Sequence, residues 1–381
     1  MSAQQPRIFT CTPFAFHANG SFFGRDTGLI CKSLQALGAE SRVVMPLPHY
    51  EDDLKDAPLL RVEMRQLRSA AWWRAQRLDG VILYSWGDPR YTGVARAIHR
   101  AGVRLVIHYD ANSELHEHLK RPGGALKRAL NRVKDVLVNR LRARHLGYAD
   151  IVTTSPPVIQ AIRHDPYYGA PIANKCQGIP CPVSGVFRYQ PGTRKERLML
   201  AVGNWENVGP KRPEMLTAAL EEYYANTPPQ LYCRTEIYGV ATKYLNDWYA
   251  NLPPEVRAHI TLAGIAAPQQ LEKAYNRARF IICPSRSESS HIASAEALCC
   301  GCTVVCPKRP VMLVTVMWYT SEGSGTVAEE DTPAALAAAM AAESAAWDSG
   351  LRDPRRIAAT WQPRVQVPYT LPRLFPVLNG R

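Results

Sequence analysis

Short apolar, β-rich runs alternate with helical segments along the whole of this 381-residue chain, and that alternation restricts it to parallel sheets covered by helices. A first series comprises RIFTCT at 7–12, RVVM at 42–45, GVILYS at 80–85, RLVIHY at 104–109 and DIVTTS at 150–155. A second comprises LMLAVG at 198–203, EIYG at 236–239, ITLAG at 260–264, RFIICP at 279–284 and TVVC at 303–306. Two series in a chain too long for one ordinary core predict two Rossmann-like α/β domains. The Pro- and Gly-rich stretch 167–196 reads as the linker, with the boundary near residue 190. The expected domains are therefore 1–190 and 191–352, with 353–381 as a tail able to return to the first, and AALAAAMAAESAAW at 334–347 reads as one helix.

Several classes drop out on inspection. The start MSAQQPRIFTCT lacks the apolar region of a secretory signal, and no run approaches the roughly 20 apolar residues of a membrane span. Ten cysteines without an export signal indicate reduced thiols and a cytoplasmic setting. Cys299, Cys300, Cys302 and Cys306 lie close enough for a zinc site, but CCGCTVVC reads better as a helix end, a glycine turn and a buried strand, so no metal is expected. Neither domain opens on a G-x-G-x-x-G or Walker-type loop, which argues against dinucleotide and P-loop chemistry. Ligands of open α/β sheets bind beyond the carboxyl ends of the strands, so the residues following each strand are the ones to inspect.

The net charge of +13 is uneven: residues 1–190 hold 26 Lys+Arg against 15 Asp+Glu, and the remainder 20 against 18. Lys120–Arg144 alone carries nine basic residues opposed only by Asp135. Leu126, Leu130, Val133, Leu137 and Leu141 recur there at helical spacing, which predicts a basic helix with its apolar residues packed inward and its cations outward. Such a helix is either a solvated face of its domain or an interaction surface, and as a surface it suits an anionic membrane, with nucleic acid the weaker alternative.

The most informative stretch is PSRSESSHIASAEALCCGCTVV, residues 284–305. It follows a strand and places Glu288 just before an apparent helix and Glu296 inside it. Eight residues are about 2.2 helical turns, so both acids can lie on one side. The amides of Ser289, Ser290 and His291 would then stand at a helix N-terminus, which favours a diphosphate.

This stretch resembles the signature of the large retaining glycosyltransferase family known as glycosyl transferases group 1, with its Glu, seven residues, second Glu, then Ala and Gly. Glu288, Glu296, Ala297 and Gly301 fall in register with it. AVGNWENVGPKRPEMLTAAL at 201–220 resembles the family's first C-terminal strand and diphosphate loop. ITLAGIAAPQQLEKAYNRARFIICPS, with Ile265 just past its strand, resembles the approach to the signature. FHANGSFFGRDTGLICKSLQALGAESRVV and LVIHYD resemble the N-terminal loop, helix and His-ending strand.

The resemblance implies the GT-B fold, two Rossmann-like domains with parallel sheets facing across a cleft. It also implies transfer of a sugar with retention from a nucleotide-sugar, UDP-sugars favoured, to a glycan, lipid-linked or small-molecule acceptor. The nucleotide-sugar is a substrate, so no cofactor is implied, and no metal. By the same resemblance His108, Glu288 and Lys211 are the catalytic residues: Lys211 neutralises the leaving diphosphate, Glu288 holds sugar hydroxyls and His108 lies near sugar and acceptor. Donor contacts are implied for Gly20, Gly24, Gly203, Asn204, Arg212, Ile265, Ser289, Ser290, His291 and Glu296, the last to the ribose. Gly20 or Gly24 serves either a close phosphate approach or a turn with positive φ.

The chain also departs from the pattern. Asn204 stands where the family usually has Arg, leaving Arg212 as the replacement. Ser289, Ser290 and His291 stand where Gly-Phe-Gly is common, which bears on donor identity. Alternatives of the same fold are a nucleotide-sugar epimerase, an enzyme glycosylating nucleic acid and a non-catalytic scaffold. The expected location is cytoplasmic, with peripheral attachment at the inner membrane face.

Overall fold

The computed structural model describes residues 5–110, 115, 123–206 and 208–379. By internal packing it divides into two compact units, Met1–Ser184 with Val367–Arg381, and Gly185–Gln366. The sequence reading drew its boundaries near 190 and 352.

The first unit is built on seven parallel strands: β1 (Ile8–Cys11), β2 (Val43–Pro46), β3 (Leu59–Val62), β4 (Gly80–Leu83), β5 (Arg104–His108), β6 (Ile151–Thr154) and β7 (Cys176–Gly178). Their spatial order is β3-β2-β1-β4-β5-β6-β7, so the winding reverses between β1 and β4. Ile8, Ile82 and Val106 form a core with Val367, Leu371, Leu374 and Phe375. The C-terminal helix Val367–Leu374 thus supplies part of the first unit's core.

The second unit has six parallel strands: β8 (Leu198–Val202), β9 (Arg234–Tyr238), β10 (Ile260–Gly264), β11 (Phe280–Ile282), β12 (Thr303–Cys306) and β13 (Gly325–Val327). Their order is β10-β9-β8-β11-β12-β13, with the reversal between β8 and β11. Met199, Leu216, Leu220 and Phe280 pack with Leu336 and Met340 of helix Pro333–Asp348. That helix is capped by Thr332, whose hydroxyl accepts from the Ala335 amide at 3.3 Å. Together the units are two parallel-sheet, Rossmann-like α/β domains.

Both sequence series correspond to observed strands, while β3, β7 and β13 are additions. All three lie at sheet edges, are three or four residues long and are largely half-buried, so they leave no apolar run to read. Cys299, Cys300, Cys302 and Cys306 are buried and unbridged.

One expectation is reversed. Helix Ala125–Gly147 forms, but its buried residues are Asn131, Asp135, Asn139, His145 and Leu146, while Leu126, Leu130, Val133, Leu137 and Leu141 are exposed. Its inward face is polar because it meets hydrogen-bonding partners: Tyr168 Oη donates to Asn139 Oδ1 at 2.8 Å, and the Ser85 hydroxyl bonds His145 Nε2 at 2.8 Å. Lys120 and Arg121, also assigned to the basic segment, lie outside the described residues.

Candidate functional site

In the second unit the residues after β8 and after β11 meet where the winding reverses, the place at which an open α/β sheet leaves a crevice. After β8 the chain runs through Gly203 and Asn204 to a short helix, Val208–Lys211. After β11 it turns through Pro284 and Ser285 to Glu288. The Arg286 amide donates to the Pro210 carbonyl at 2.7 Å, tying the two loops together, and the Glu288 amide donates to Met312 O at 3.0 Å. Lys211 Nζ consequently lies 2.6 Å from Glu288 Oε1, which also accepts from the Ser285 hydroxyl at 2.6 Å.

Burial disfavours charge on Glu288, but nearby positive groups, His291 when protonated and Lys211, together with the bonds from Lys211 and Ser285, outweigh it and hold the carboxyl below its ordinary range. His291 is pushed down to about 4, chiefly by burial and against the pull of Glu288. At neutral pH His291 is therefore uncharged and Lys211 is the cation paired with Glu288. Both partners retain some solvent exposure, so the pair is accessible to a ligand.

The remaining residues of the signature follow in order. His291 Nδ1 bonds the Ser294 hydroxyl at 2.7 Å, and the Ser290 hydroxyl bonds Tyr319 Oη at 3.0 Å. Helix Ile292–Cys299 carries Glu296, whose carboxylate accepts from Tyr275 Oη at 3.2 Å. Gly301 closes that helix at φ +76, where a Cβ would lie 2.5 Å from Pro354 O, so both the turn and the space require glycine. Ser289 is half-buried beside Glu288, and Ile265 is exposed past β10.

Arg212 adopts a left-handed backbone at φ 52 and pairs with Asp331, Nη1 to Oδ1 at 2.5 Å; Arg309 binds the other oxygen of the same carboxylate. Sequence reasoning did not single out Asp331 or Arg309, which come from distant loops. The Asn204 side chain accepts from the Glu206 amide at 3.2 Å and so serves its own turn.

Among the described residues, ligand atoms of Cys283, Glu288 and His291 lie within 4.8 Å of one another, close enough for a cation. Lys211 already occupies the Glu288 carboxylate, and burial raises the Cys283 thiol to about 12. A metal there would have to displace both the ammonium and the thiol proton.

The first unit has a crevice of its own, again at the reversal, between the ends of β1 and β4. A cavity of about 470 Å³ is lined by Thr12, Phe16, Phe22, Asp26, Tyr84 and Trp86, among others. Its wall is braced. Phe14 stacks on Trp86 at 4.5 Å, and Asp53 ties Arg61 at 2.7 Å and the Ala18 amide at 2.8 Å. Arg61, bonded to that carboxylate, holds Asp53 far below the usual carboxylate range.

Gly20 begins the short helix Gly20–Phe23 and Gly24 caps it; neither has positive φ, so the turn expected to need glycine is not there. The positive φ falls on Asp26, at 43°, and the glycine required by space is Gly28, where a Cβ would lie 2.5 Å from Phe22 O. Burial raises the Asp26 carboxyl, partly offset by Arg25 and His108. His108 ends β5, stacks on Tyr84 at 4.4 Å and bonds Thr153 Oγ1 at 3.1 Å. Burial, against the pull of Asp26, brings it down to about 4, so it is neutral at physiological pH.

Residues 196–343 match the family model Glycosyl transferases group 1. No curated protein sequence matches the chain. Among solved structures, Anabaena Alr3699/HepE in complex with UDP and glucose is similar at TM-score 0.62 and 14% identity, over 98% of this chain and 100% of that one. WaaG, a glycosyltransferase involved in lipopolysaccharide biosynthesis, is similar at TM-score 0.59 and 18% identity, over 98% and 100%. The lipopolysaccharide outer core galactosyltransferase WaaB in its apo form is similar at 0.60 and 14%, over 97% and 98%. Residues 196–343 thus match the glycosyl transferases group 1, and the chain's two units have the fold of the GT-B glycosyltransferases.

Proposed function

We propose that this chain is a retaining glycosyltransferase that moves a sugar from a nucleoside diphosphate sugar to a glycan acceptor without a bound metal. The observation that carries the reading is the Lys211–Glu288 pair at the winding reversal of the second sheet, 2.6 Å apart and partly open to solvent. A leaving diphosphate gains negative charge as the glycosidic bond breaks. A fixed ammonium stabilises that charge more in the transition state than in the ground state. On this reading Lys211 turns to the diphosphate when donor binds, and Glu288 accepts hydrogen bonds from sugar hydroxyls. Glu296 holds the ribose, while Gly203, Asn204, Ser289, Ser290, His291 and Ile265 border the donor. Arg212, carried by the same loop as Lys211, assists at the diphosphate.

UDP-sugars are the first donors to try, and Anabaena Alr3699/HepE holds UDP and glucose in a similar fold. Calorimetry against UDP-, GDP- and ADP-sugars in chelator should give saturable binding for a UDP-sugar. Binding to none of them would remove the reading, and binding that needs added divalent cation would remove its metal-free part.

The acceptor is assigned to the cavity of the first unit. Trp86 and Phe16 keep ring area exposed there, and aromatic faces pack against the C–H faces of sugar rings, while Asp26 supplies a hydroxyl acceptor. Trp86→Ala is expected to raise the acceptor KM roughly tenfold, about the value of one aromatic packing contact, with the donor Kd unchanged. An unchanged acceptor KM would place the acceptor elsewhere.

A further inference from the structure

Helix Ala125–Gly147 is amphipathic the wrong way round for a helix packed on a soluble domain. At about 100° per residue, Leu126, Leu130, Val133, Leu137 and Leu141 fall within an arc of about 80°, a stripe about 22 Å long. Their exposures are 78%, 53%, 56%, 55% and 49%, whereas Asn131, Asp135 and Asn139 on the opposite side are 5%, 2% and 1% exposed. Ordinary folding would bury the leucines and expose the amides. Here the polar face is occupied by Tyr168 and Ser85, so the apolar stripe is left to solvent.

Lys127, Arg128, Arg132, Lys134, Arg140 and Arg144 are exposed on the same helix, and its single acid, Asp135, is buried. On the same helical wheel, Arg144 lies within the stripe, Arg140 just beside it on one flank, and Lys134 and Lys127 on the other.

We propose that this stripe is a docking face for an anionic lipid bilayer, seated at the boundary between headgroups and acyl chains. Both components have a use there: the leucines and valine enter the acyl region, and the flanking cations reach up to phosphate groups on aliphatic stems. Charge decides against the other occupants. A second copy of the stripe would bring Lys and Arg against Lys and Arg with no exposed acid on the helix to meet them. Nucleic acid would take the cations but leave the leucines in water. The helix is not apolar enough to cross a membrane, so the attachment is in the interface plane. The proposal does not depend on the glycosyl-transfer reading, since it concerns a surface of the first unit alone.

The test is cosedimentation of the full chain with vesicles of phosphatidylcholine, with and without phosphatidylglycerol, at low and high salt. Wild type is expected to bind the anionic vesicles and to lose most binding at high salt or on pure phosphatidylcholine. Leu130→Gln with Val133→Gln and Leu137→Gln, all at exposed positions, should reduce the partition coefficient roughly 100-fold or more, with the circular dichroism of wild type retained. Lys127→Gln with Lys134→Gln and Arg144→Gln should reduce it on anionic vesicles only. No binding of wild type to anionic vesicles overturns the proposal. So does undiminished binding by the triple Gln variant of the stripe, or a dimer in vesicle-free solution that this variant dissociates.

Discussion

Lys211→Ala and Glu288→Ala are each expected to lower turnover roughly 100-fold or more, the loss typical when a group aimed at developing charge is removed. The reason lies in how the two are held. Glu288 receives Lys211 and Ser285 on one carboxylate oxygen, and its loop is bonded through Arg286 to the carbonyl of Pro210, next to the lysine. The ammonium is thus held beside the loop before any diphosphate arrives, and it turns from Glu288 to the diphosphate as donor binds, ahead of the reaction step. Glu288→Gln keeps the shape but removes the charge, leaving Lys211 less restrained; it should fall between wild type and alanine.

Glu296→Ala serves as the contrast. A ribose contact is made alike in ground and transition states, so donor affinity should weaken more than turnover falls. Steady-state kinetics with calorimetry of donor binding separates these outcomes. Turnover unchanged in well-folded Lys211→Ala would move the chemistry away from this pair.

The second large effect is on stability toward acid. His108, His145 and His291 are each brought down to about 4 from the ordinary 6.5, in every case chiefly by burial. Above pH 6.5 these imidazoles are neutral whether the chain is folded or not. As pH falls from 6.5 toward 4 the unfolded chain takes up their protons and the folded one does not, so stability is lost over that window. Each contributes roughly 3 kcal/mol to the loss across that window. Two of the three, His108 and His145, are in the first unit, so that unit should weaken the more. Hydrogen exchange at pH 7, 6 and 5, which resolves the units separately, is the measurement, and His108→Asn should flatten the slope for the first unit. Equal pH sensitivity in wild type and variant would show that His108 is protonated in the fold. Asp26 acts in the opposite sense, since its raised carboxyl favours the folded state below the ordinary carboxylate range and that contribution fades as pH rises.

What the sequence alone determined was whatever is written in neighbouring residues. Continuous apolar runs fixed the central strands, because a strand covered on both faces has no polar side to show. The spacing from Glu288 to Glu296, with Gly301 behind it, marked the segment around the second unit's winding reversal, because a strand, turn and helix are local objects. The edge strands β3, β7 and β13 escaped, because half-buried edges carry little apolar signal. The tertiary structure decided everything that depends on residues far apart in the chain. It set Lys211 on Glu288, 77 positions away, through a bond between their loops, and gave Arg212 to Asp331, 119 positions away. It put the positive φ on Asp26, the first residue of helix Asp26–Ala36, and not on Gly20 or Gly24. It also inverted helix Ala125–Gly147, for a periodic row of leucines defines a face but not its direction. Which face turns inward depends on the partners across the gap, and here those are Tyr168 and Ser85, which bond the helix's Asn139 and His145.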